Sequence, residues 1–416
     1  MKVYVIGAGM GGAGSLTCEG KKAIDECELL IGSARIMEGY KDREILILSM
    51  KTEEVIRELS VCGKAVAGVL YSGDGAFYSS AVNLYKELSE QGYEALLIPG
   101  VSSMSYFCNA AGIPYGGAKI VSAHGREVNL LAHIRDEKRL FALLGGPGDI
   151  IGLCDKLFYY GMDGVKLWAG VNLSYPDEYI QCLDIDSFKD ENVRNRLLQY
   201  GRSPAVIFAE NEKSRDALFD VMEDEDFIRA SASKGVIPMT KQAVRTMVLE
   251  RLKLKKDSVL YDVGAGSGSI SVAASLMWAD IRVFAIEQET EACVLLGENR
   301  RKFLADNMEI VSGRAPAAFA GLRKPTHAFI GGSDGDIKEI LGNLFELNPD
   351  IRVVMTVISL TSLWALLSYI DGCRSLRAQV TLLQVSNEKK TGNHRLMMAL
   401  NPVYVVLING CSHNME

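Results

Sequence analysis

Val259-Leu260-Tyr261-Asp262-Val263-Gly264-Ala265-Gly266-Ser267-Gly268-Ser269, followed by Val283-Phe284-Ala285-Ile286-Glu287, decides the fold of the second half of this chain. The apolar run Val259–Val263 reads as a buried strand. Gly264, Gly266 and Gly268 then allow a tight turn into a helix and leave backbone N–H groups free beside a ligand. The second run ends in Glu287, about 20 residues past the glycines, where a carboxylate can accept hydrogen bonds from both hydroxyls of a ribose. In a dinucleotide site the glycines would face a pyrophosphate. Here Asp262 closes the first strand with a charge that repels phosphate and suits a cation. A ribonucleoside with a positively charged amino-acid tail fits that combination, which points to S-adenosylmethionine (SAM).

Outward from this turn, apolar runs alternate with helical patterns along the whole chain, the mark of α/β architecture with parallel sheets. The first half carries Val3–Ile6, Ile45–Leu48, Ala65–Tyr71, Ala95–Ile98, Leu140–Leu144 and Ala205–Ala209. The second continues with Met308–Val311, His327–Ile330, Val353–Ile358, Val380–Val385 and Val403–Ile408. No helical pattern separates the last two, so they predict an antiparallel closure of a seven-stranded sheet. The charged stretch from Glu210 to Arg229 marks an inter-domain connection near residue 215, giving domains over 1–212 and 220–416. No internal repeat is visible.

With 416 residues, 48% hydrophobic and 23% charged, the chain has room for two or three domains with ample cores. Its formal net charge of -7 gives no general attraction for phosphate backbones and weighs against a nucleic-acid partner. Nine cysteines without a C-x-x-C pair and five histidines without ligand spacing read as reduced thiols in a cytoplasm, with no metal site. Met1–Ile6 reads as a first strand rather than a signal peptide. Val353–Ile370 is uncharged for 18 residues, the lower limit for a membrane span. Its β-branched first half and Leu-rich second half predict a buried strand and then a helix, not a membrane segment.

Upstream of the glycine turn lies Gly235-Val236-Ile237-Pro238-Met239-Thr240-Lys241-Gln242-Ala243-Val244-Arg245. Thr240 can cap a helix starting around Lys241, and Lys241 and Arg245, four apart, then share a face. That face is either solvated or a gate offering donors to a polycarboxylate. Ser312-Gly313-Arg314-Ala315-Pro316 and Ile330-Gly331-Gly332-Ser333-Asp334-Gly335 follow strands, at the ends where open α/β sheets bind ligands. In this order and spacing the segments resemble the decarboxylating methyltransferases of cobalamin biosynthesis, over nearly all of residues 220–416. The resemblance implies that Asp262, Gly264, Gly266, Gly268 and Glu287 hold SAM, with Gly313 and Ala315 near the adenine. It also implies that Thr240, Lys241, Arg245 and the loop Gly331, Gly332, Ser333 face a tetrapyrrole.

In the first half, Gly7–Gly14 after the first strand invites a dinucleotide reading, but no acidic residue ends a second strand at a suitable distance. Ser72-Gly73-Asp74-Gly75, Pro99-Gly100-Val101-Ser102-Ser103 and Ser122-Ala123-His124-Gly125-Arg126 instead resemble the tetrapyrrole methylase family, over about residues 1–210. That resemblance implies a two-subdomain α/β fold binding folded SAM on Gly73, Asp74 and Gly75, with Ser102 and Ser103 nearby. Gly9 would line a substrate groove and Arg126 would pair with a substrate carboxylate. His124 is either a general base or a hydrogen-bonded loop histidine. The family usually has Pro where this chain has Gly75, and its Thr-Asp pair is missing around Leu144–Gly148.

Together the resemblances imply an N-terminal two-subdomain tetrapyrrole methylase fold followed by a C-terminal Rossmann-like SAM-dependent methyltransferase domain. They imply a cytoplasmic enzyme with two SAM sites that methylates a precorrin-6 type corrin precursor at carbons 5 and 15 and decarboxylates its ring C acetate. Family resemblance further implies a homo-oligomer, dimer or tetramer. An RNA methyltransferase and a SAM-binding scaffold are the competing readings; the first wants a basic stripe with exposed aromatics, which the acidic balance does not supply.

Overall fold

The computed structural model describes residues 1–215, 222–232, 235–332 and 335–410. The chain divides into two compact units, one of residues 1–128 and 137–214, the other of 129–136 and 215–416. The helix Leu130–Asp136 therefore groups with the second unit, and nothing in its sequence sets it apart from the first half.

The first unit opens with five parallel strands, β1 (Lys2–Gly7), β2 (Leu29–Gly32), β3 (Ile45–Ile47), β4 (Val66–Tyr71) and β5 (Glu94–Ile98), in the order β3-β2-β4-β1-β5. Strand periodicity of two sends Val3 and Val5 into one core layer with Val69 and Leu84, and Tyr4 and Ile6 into another with Leu30 and Leu70. Its second sheet holds β6 (Lys119–Ser122), β7 (Arg139–Leu144), β8 (Val165–Val171), β9 (Tyr179–Leu183) and β10 (Ala205–Asn211), ordered β6-β7-β10-β8-β9. Only β6 and β7 pair in parallel there. The strands absent from the sequence reading, β2, β6, β8 and β9, are short or interrupted by polar residues, so no sustained apolar run marks them.

The second unit starts with a small strand pair, β11 (Ser231–Ala232) and β12 (Gly235–Val236). Its main sheet contains β13 (Val259–Val263), β14 (Arg282–Glu287), β15 (Met308–Ser312), β16 (His327–Ile330), β17 (Arg352–Val357), β18 (Leu376–Leu383) and, after a hairpin of β19 (Ser386–Thr391) and β20 (His394–Ala399), β21 (Val403–Gly410). The order is β15-β14-β13-β16-β17-β21-β18, with β21 antiparallel to both neighbours. The expected antiparallel closure is present, and the exposed β19–β20 hairpin is the addition to it. Val353–Ile370 resolves into β17 and the helix Leu360–Gly372, and no described helix is long and apolar enough to cross a membrane.

Candidate active site

The C-terminal ends of β13 to β16 frame a cleft of about 390 Å³ in the second unit. Its lining includes Val263, Gly264 and Gly266 after β13, Glu287 at the end of β14, Gly313, Arg314 and Ala315 after β15, and Gly331 and Gly332 after β16. Gly235–Pro238, the segment beginning at β12, supplies another wall. The volume is that of a small-molecule or cofactor pocket, at the edge of the sheet where such pockets form.

The first two glycines are there for close approach. Gly264 has φ +70°, and a Cβ on it would lie 2.9 Å from the Gly332 backbone nitrogen. Gly266 has φ +56°, and its Cβ would lie 2.6 Å from the Pro238 carbonyl oxygen. Gly268 corrects the expectation that all three glycines meet the ligand. It does not line the cleft, and its Cβ would instead strike Leu296 Cδ2 at 2.5 Å, so its role is to pack the helix Ser269–Ser275 against Thr290–Lys302.

Glu287 is held rigidly at the cleft. Its Oε2 accepts from Gly266 N at 2.9 Å, and its Oε1 from Gln288 N and Glu289 N at 2.8 and 3.0 Å. The carboxylate ties the β14 end to the glycine turn and keeps accepting capacity for a further donor.

Asp262 is a second correction. It sits in β13 on the face of Leu260, two residues back, and so looks at the helix Ser269–Ser275 rather than off the strand end. Only 1% exposed and off the cleft lining, it accepts from Ser271 Oγ through Oδ2, while Oδ1 has no hydrogen-bond partner among the described residues. Burial pushes its carboxyl up to about 7, with the nearby Glu287 charge adding to the rise and the Ser271 hydrogen bonds opposing it.

The upstream segment differs most from expectation. The helix runs Gln242–Leu252 with Lys241 as N-cap and no side-chain cap, so Thr240 does not cap it. Asp224 does the capping from a distance, accepting from Gln242 N at 3.0 Å. Lys241 Nζ lies 3.6 Å from the same carboxylate, with 44% of its side chain exposed. Arg245 does not offer donors to a ligand: it is 3% exposed and donates to Asp224, to Thr240 O at 3.0 Å and to Met222 O, while stacking over Phe227. Neither Thr240 nor Lys241 lines the cleft. Their neighbour Pro238 does, and its carbonyl accepts from Ser267 N at 3.1 Å.

Asn299 escaped the sequence reading. Fully buried on Thr290–Lys302, it exchanges hydrogen bonds with Ile228 (N to Oδ1 at 2.9 Å, Nδ2 to O at 3.2 Å) and donates to Ser267 O at 2.9 Å. It thereby clasps the upstream segment to the glycine turn. Its spacing from Ala292, Leu295 and Leu296, which puts this Asn of the E-N-R-R-K run on their apolar helix face, is the signal that could have found it. Ser333 lies outside the described residues.

In the first unit three loops meet backbone to backbone. Gly9 and Gly73 form an antiparallel bridge, and a Cβ on Gly100 would lie 2.3 Å from Gly73 O. Asp74 braces the junction, its Oδ1 accepting from Ala76 N at 2.9 Å and its Oδ2 from Gly100 N at 3.1 Å. Gly75 is buried, and a Cβ on it would lie 3.2 Å from Ala81 Cβ and 3.3 Å from Leu97 Cδ1. Ser102 caps the helix Ser103–Ala111 by accepting from Ser105 N. The structure brings Gly9, Gly73, Asp74 and the loop leading to Ser102 and Ser103 together at the ends of β1, β4 and β5. His124 Nδ1 lies 3.3 Å from Leu144 O, the geometry of a loop histidine tied to backbone, and Arg126 is exposed on the same loop.

Residues 2–186 match the tetrapyrrole (corrin/porphyrin) methylases and residues 233–409 the precorrin methyltransferase domain. The chain is 37% identical over 186 residues to the cobalt-precorrin-6B C(15)-methyltransferase (decarboxylating) of Salmonella typhimurium, covering 44% of this chain and 94% of the relative. It is 28% identical over 359 residues to the precorrin-6Y C(5,15)-methyltransferase [decarboxylating] of a Sinorhizobium species, covering 80% of this chain and 78% of the relative. The crystal structure of a precorrin-6Y C5,15-methyltransferase from Geobacter metallireducens is 31% identical, with a TM-score of 0.41 over 45% of this chain and 95% of that one. The chain belongs to the decarboxylating precorrin methyltransferases, with a tetrapyrrole methylase domain preceding the precorrin methyltransferase domain.

Proposed function

We propose that this enzyme methylates a precorrin-6 type corrin precursor at carbons 5 and 15 and decarboxylates its ring C acetate, in cobalamin biosynthesis. The first unit acts at carbon 5, and the second methylates carbon 15 and releases carbon dioxide. The observation that carries this reading is the presence in one chain of both domain types, in a chain that aligns over 359 residues with the Sinorhizobium precorrin-6Y C(5,15)-methyltransferase [decarboxylating].

The residues around the second-unit cleft fit SAM. Gly264 and Gly266 let the Gly332 and Pro238 backbones close around the cradle, where a Cβ on either glycine would strike them. Glu287 offers its remaining accepting capacity to ribose hydroxyls. Asp262, behind the glycine turn with an oxygen lacking a donor, supplies negative potential to a cation by charge rather than by contact. SAM would supply the methyl group on its sulfonium. Gly313 and Ala315 border the adenine end, and Gly331 and Gly332 the tetrapyrrole. Lys241, with its ammonium partly exposed, remains to pair with a substrate carboxylate, whereas Arg245 is committed to Asp224. A second SAM belongs on the Gly73–Gly75 loop of the first unit.

Methyl transfer is an in-line displacement, so the chain contributes alignment and exclusion of water rather than covalent catalysis. The electron-rich macrocycle supplies the carbon nucleophile and, once protonated, an electron sink for decarboxylation.

We also propose a homo-oligomer, dimer or tetramer. Every residue of β19 and β20 is exposed, Met397 by 67%, and a lone two-stranded hairpin is marginal in water.

The test is mass spectrometry of products from the full chain and two variants. Gly73→Val should leave one methyl transfer with loss of carbon dioxide, and Glu287→Gln one methyl transfer without it. Two methyl transfers by either variant at the parent rate would refute the assignment of sites.

A further inference from the structure

The glycine loop after β1 is closed from one side by the loop between β8 and β9. A Cβ on Gly11 would lie 2.1 Å from Tyr175 Oη, and Gly12 N donates to Ser174 Oγ at 3.1 Å. Two non-glycine residues of that closing loop, Asn172 and Ser174, hold φ values of 51° and 65°. Such left-handed backbone costs energy and persists where the surroundings impose it, commonly at binding sites. Its effect here is to hold the Tyr175 ring against Gly11 on one side and under Arg35 on the other.

Arg35 lies with its guanidinium carbon 4.1 Å from the Tyr175 ring centroid. The side chain is half-buried, yet among the described residues it has no carboxylate partner and makes no hydrogen bond. Other half-buried arginines of this unit, Arg43, Arg139 and Arg194, are each paired with a carboxylate. A planar guanidinium stacked on an aromatic ring is fixed in orientation while its edge donors stay open, the arrangement suited to a bidentate carboxylate. Gly9, two residues before Gly11, bridges to Gly73 in the loop assigned above to SAM. An anion on Arg35 is thus tied through one short loop to the methyl-donor site.

We propose that Arg35, braced by Tyr175, is a substrate-binding residue of the first unit that takes one carboxylate of the polycarboxylated tetrapyrrole and sets which ring edge faces the Gly73–Asp74 loop. This rests on the reading of the first unit as a tetrapyrrole methylase site. The group proposed from sequence for this task, Arg126, is exposed on a different loop, and the stacked pair was not legible because Arg35 and Tyr175 lie far apart in the chain.

The test uses the full chain, with uroporphyrin as a polycarboxylated probe followed by fluorescence, and methylation at carbon 5 followed by mass spectrometry. Arg35→Ala should weaken uroporphyrin binding and raise KM for the corrin precursor by about tenfold or more, as expected for loss of a charge-assisted hydrogen bond. It should leave SAM affinity and the melting temperature at parent values. Arg35→Lys should recover part of the loss, and Tyr175→Leu should behave like Arg35→Ala without altering charge. Unchanged uroporphyrin binding and KM in Arg35→Ala would overturn the proposal, as would equal losses of SAM and porphyrin binding. A parent chain that binds uroporphyrin through Arg35 but methylates no tetrapyrrole would overturn the function while leaving the carboxylate site standing.

Discussion

Asp262→Asn should stabilise the SAM-free protein above neutral pH while weakening SAM binding. The carboxyl is pushed from its ordinary 3.8 to about 7, chiefly by burial. Because the folded-state value is the higher one, the unfolded chain ionises first as pH rises, and stability falls between about pH 4 and pH 7. Below that window both states are protonated and the site costs nothing. Above it the full penalty applies, about 4 kcal/mol for roughly three pH units at 1.36 kcal/mol each. Asparagine cannot ionise, but its amide N–H₂ in place of the unpartnered oxygen gives back about 1–2 kcal/mol. The net gain is about 2–3 kcal/mol at pH 8, or a rise of about 4–12 °C in the melting temperature of a domain of this size. Calorimetry of the SAM-free parent and variant from pH 4 to 8.5 reads this directly, with the advantage disappearing at the acid end. SAM should reverse the order: a cation in the cleft favours the ionised carboxylate, so parent affinity rises with pH through about 7, and the variant shows neither the rise nor the tightness. A variant that melts below the parent at pH 8 would mean that the carboxylate is satisfied as an anion, and the electrostatic role given to it would fall.

Gly266→Val puts a branched side chain at φ +56° with its Cβ 2.6 Å from Pro238 O, and should abolish SAM binding to the second unit while carbon 5 methylation continues; calorimetric titration would resolve the lost site. Arg245→Met removes the buried guanidinium and leaves Asp224 with only Gln242 N and the partly exposed Lys241, at a cost of about 1.5–3 kcal/mol for the lost charge-assisted hydrogen bonds. Urea unfolding should show that loss, with KM for the tetrapyrrole at the parent value; a KM effect with undiminished stability would restore Arg245 to the substrate. Met397→Glu on the exposed hairpin should shift the assembly toward monomer in sedimentation velocity without altering the fold, and an unchanged sedimentation coefficient would remove the hairpin from the interface.

The inner strands of the second unit's sheet, β13, β14, β16, β17 and β21, were legible because they are largely apolar runs buried on both faces, and the glycine turn because φ > 0 at Gly264 and Gly266 leaves few alternatives. Side-chain direction was less legible. Asp262 adjoins the turn in sequence, yet its place in the period-two pattern of β13 points it at Ser271. Thr240 has the chemistry of a cap, but Asp224, sixteen residues upstream, reaches the helix first, and that contact depends on how the intervening chain folds back. Arg245 carries the same lesson: charge and helical spacing do not distinguish an arginine facing solvent from one closed over by Asp224, Met222 and Phe227.

These displaced residues share a consequence for the cleft. Its upstream wall, Gly235–Pro238, meets the glycine turn through the Pro238–Ser267 hydrogen bond, and it is held from behind at two places. Asn299 ties Ile228 to Ser267, and Asp224 gathers Gln242, Lys241 and Arg245 on the far side of the wall. The wall therefore takes its position from buried polar contacts, whose geometry is stricter than that of apolar packing because each unpaired group left behind costs about 1–3 kcal/mol. The same contacts account for the charge pattern of the cleft. By holding Arg245 with Asp224, away from the lining, and Arg314 with Asp336, the fold leaves Glu287 and Glu289 at the cleft and the buried Asp262 behind the glycine turn, the polarity that a sulfonium cofactor requires and a dinucleotide pyrophosphate does not.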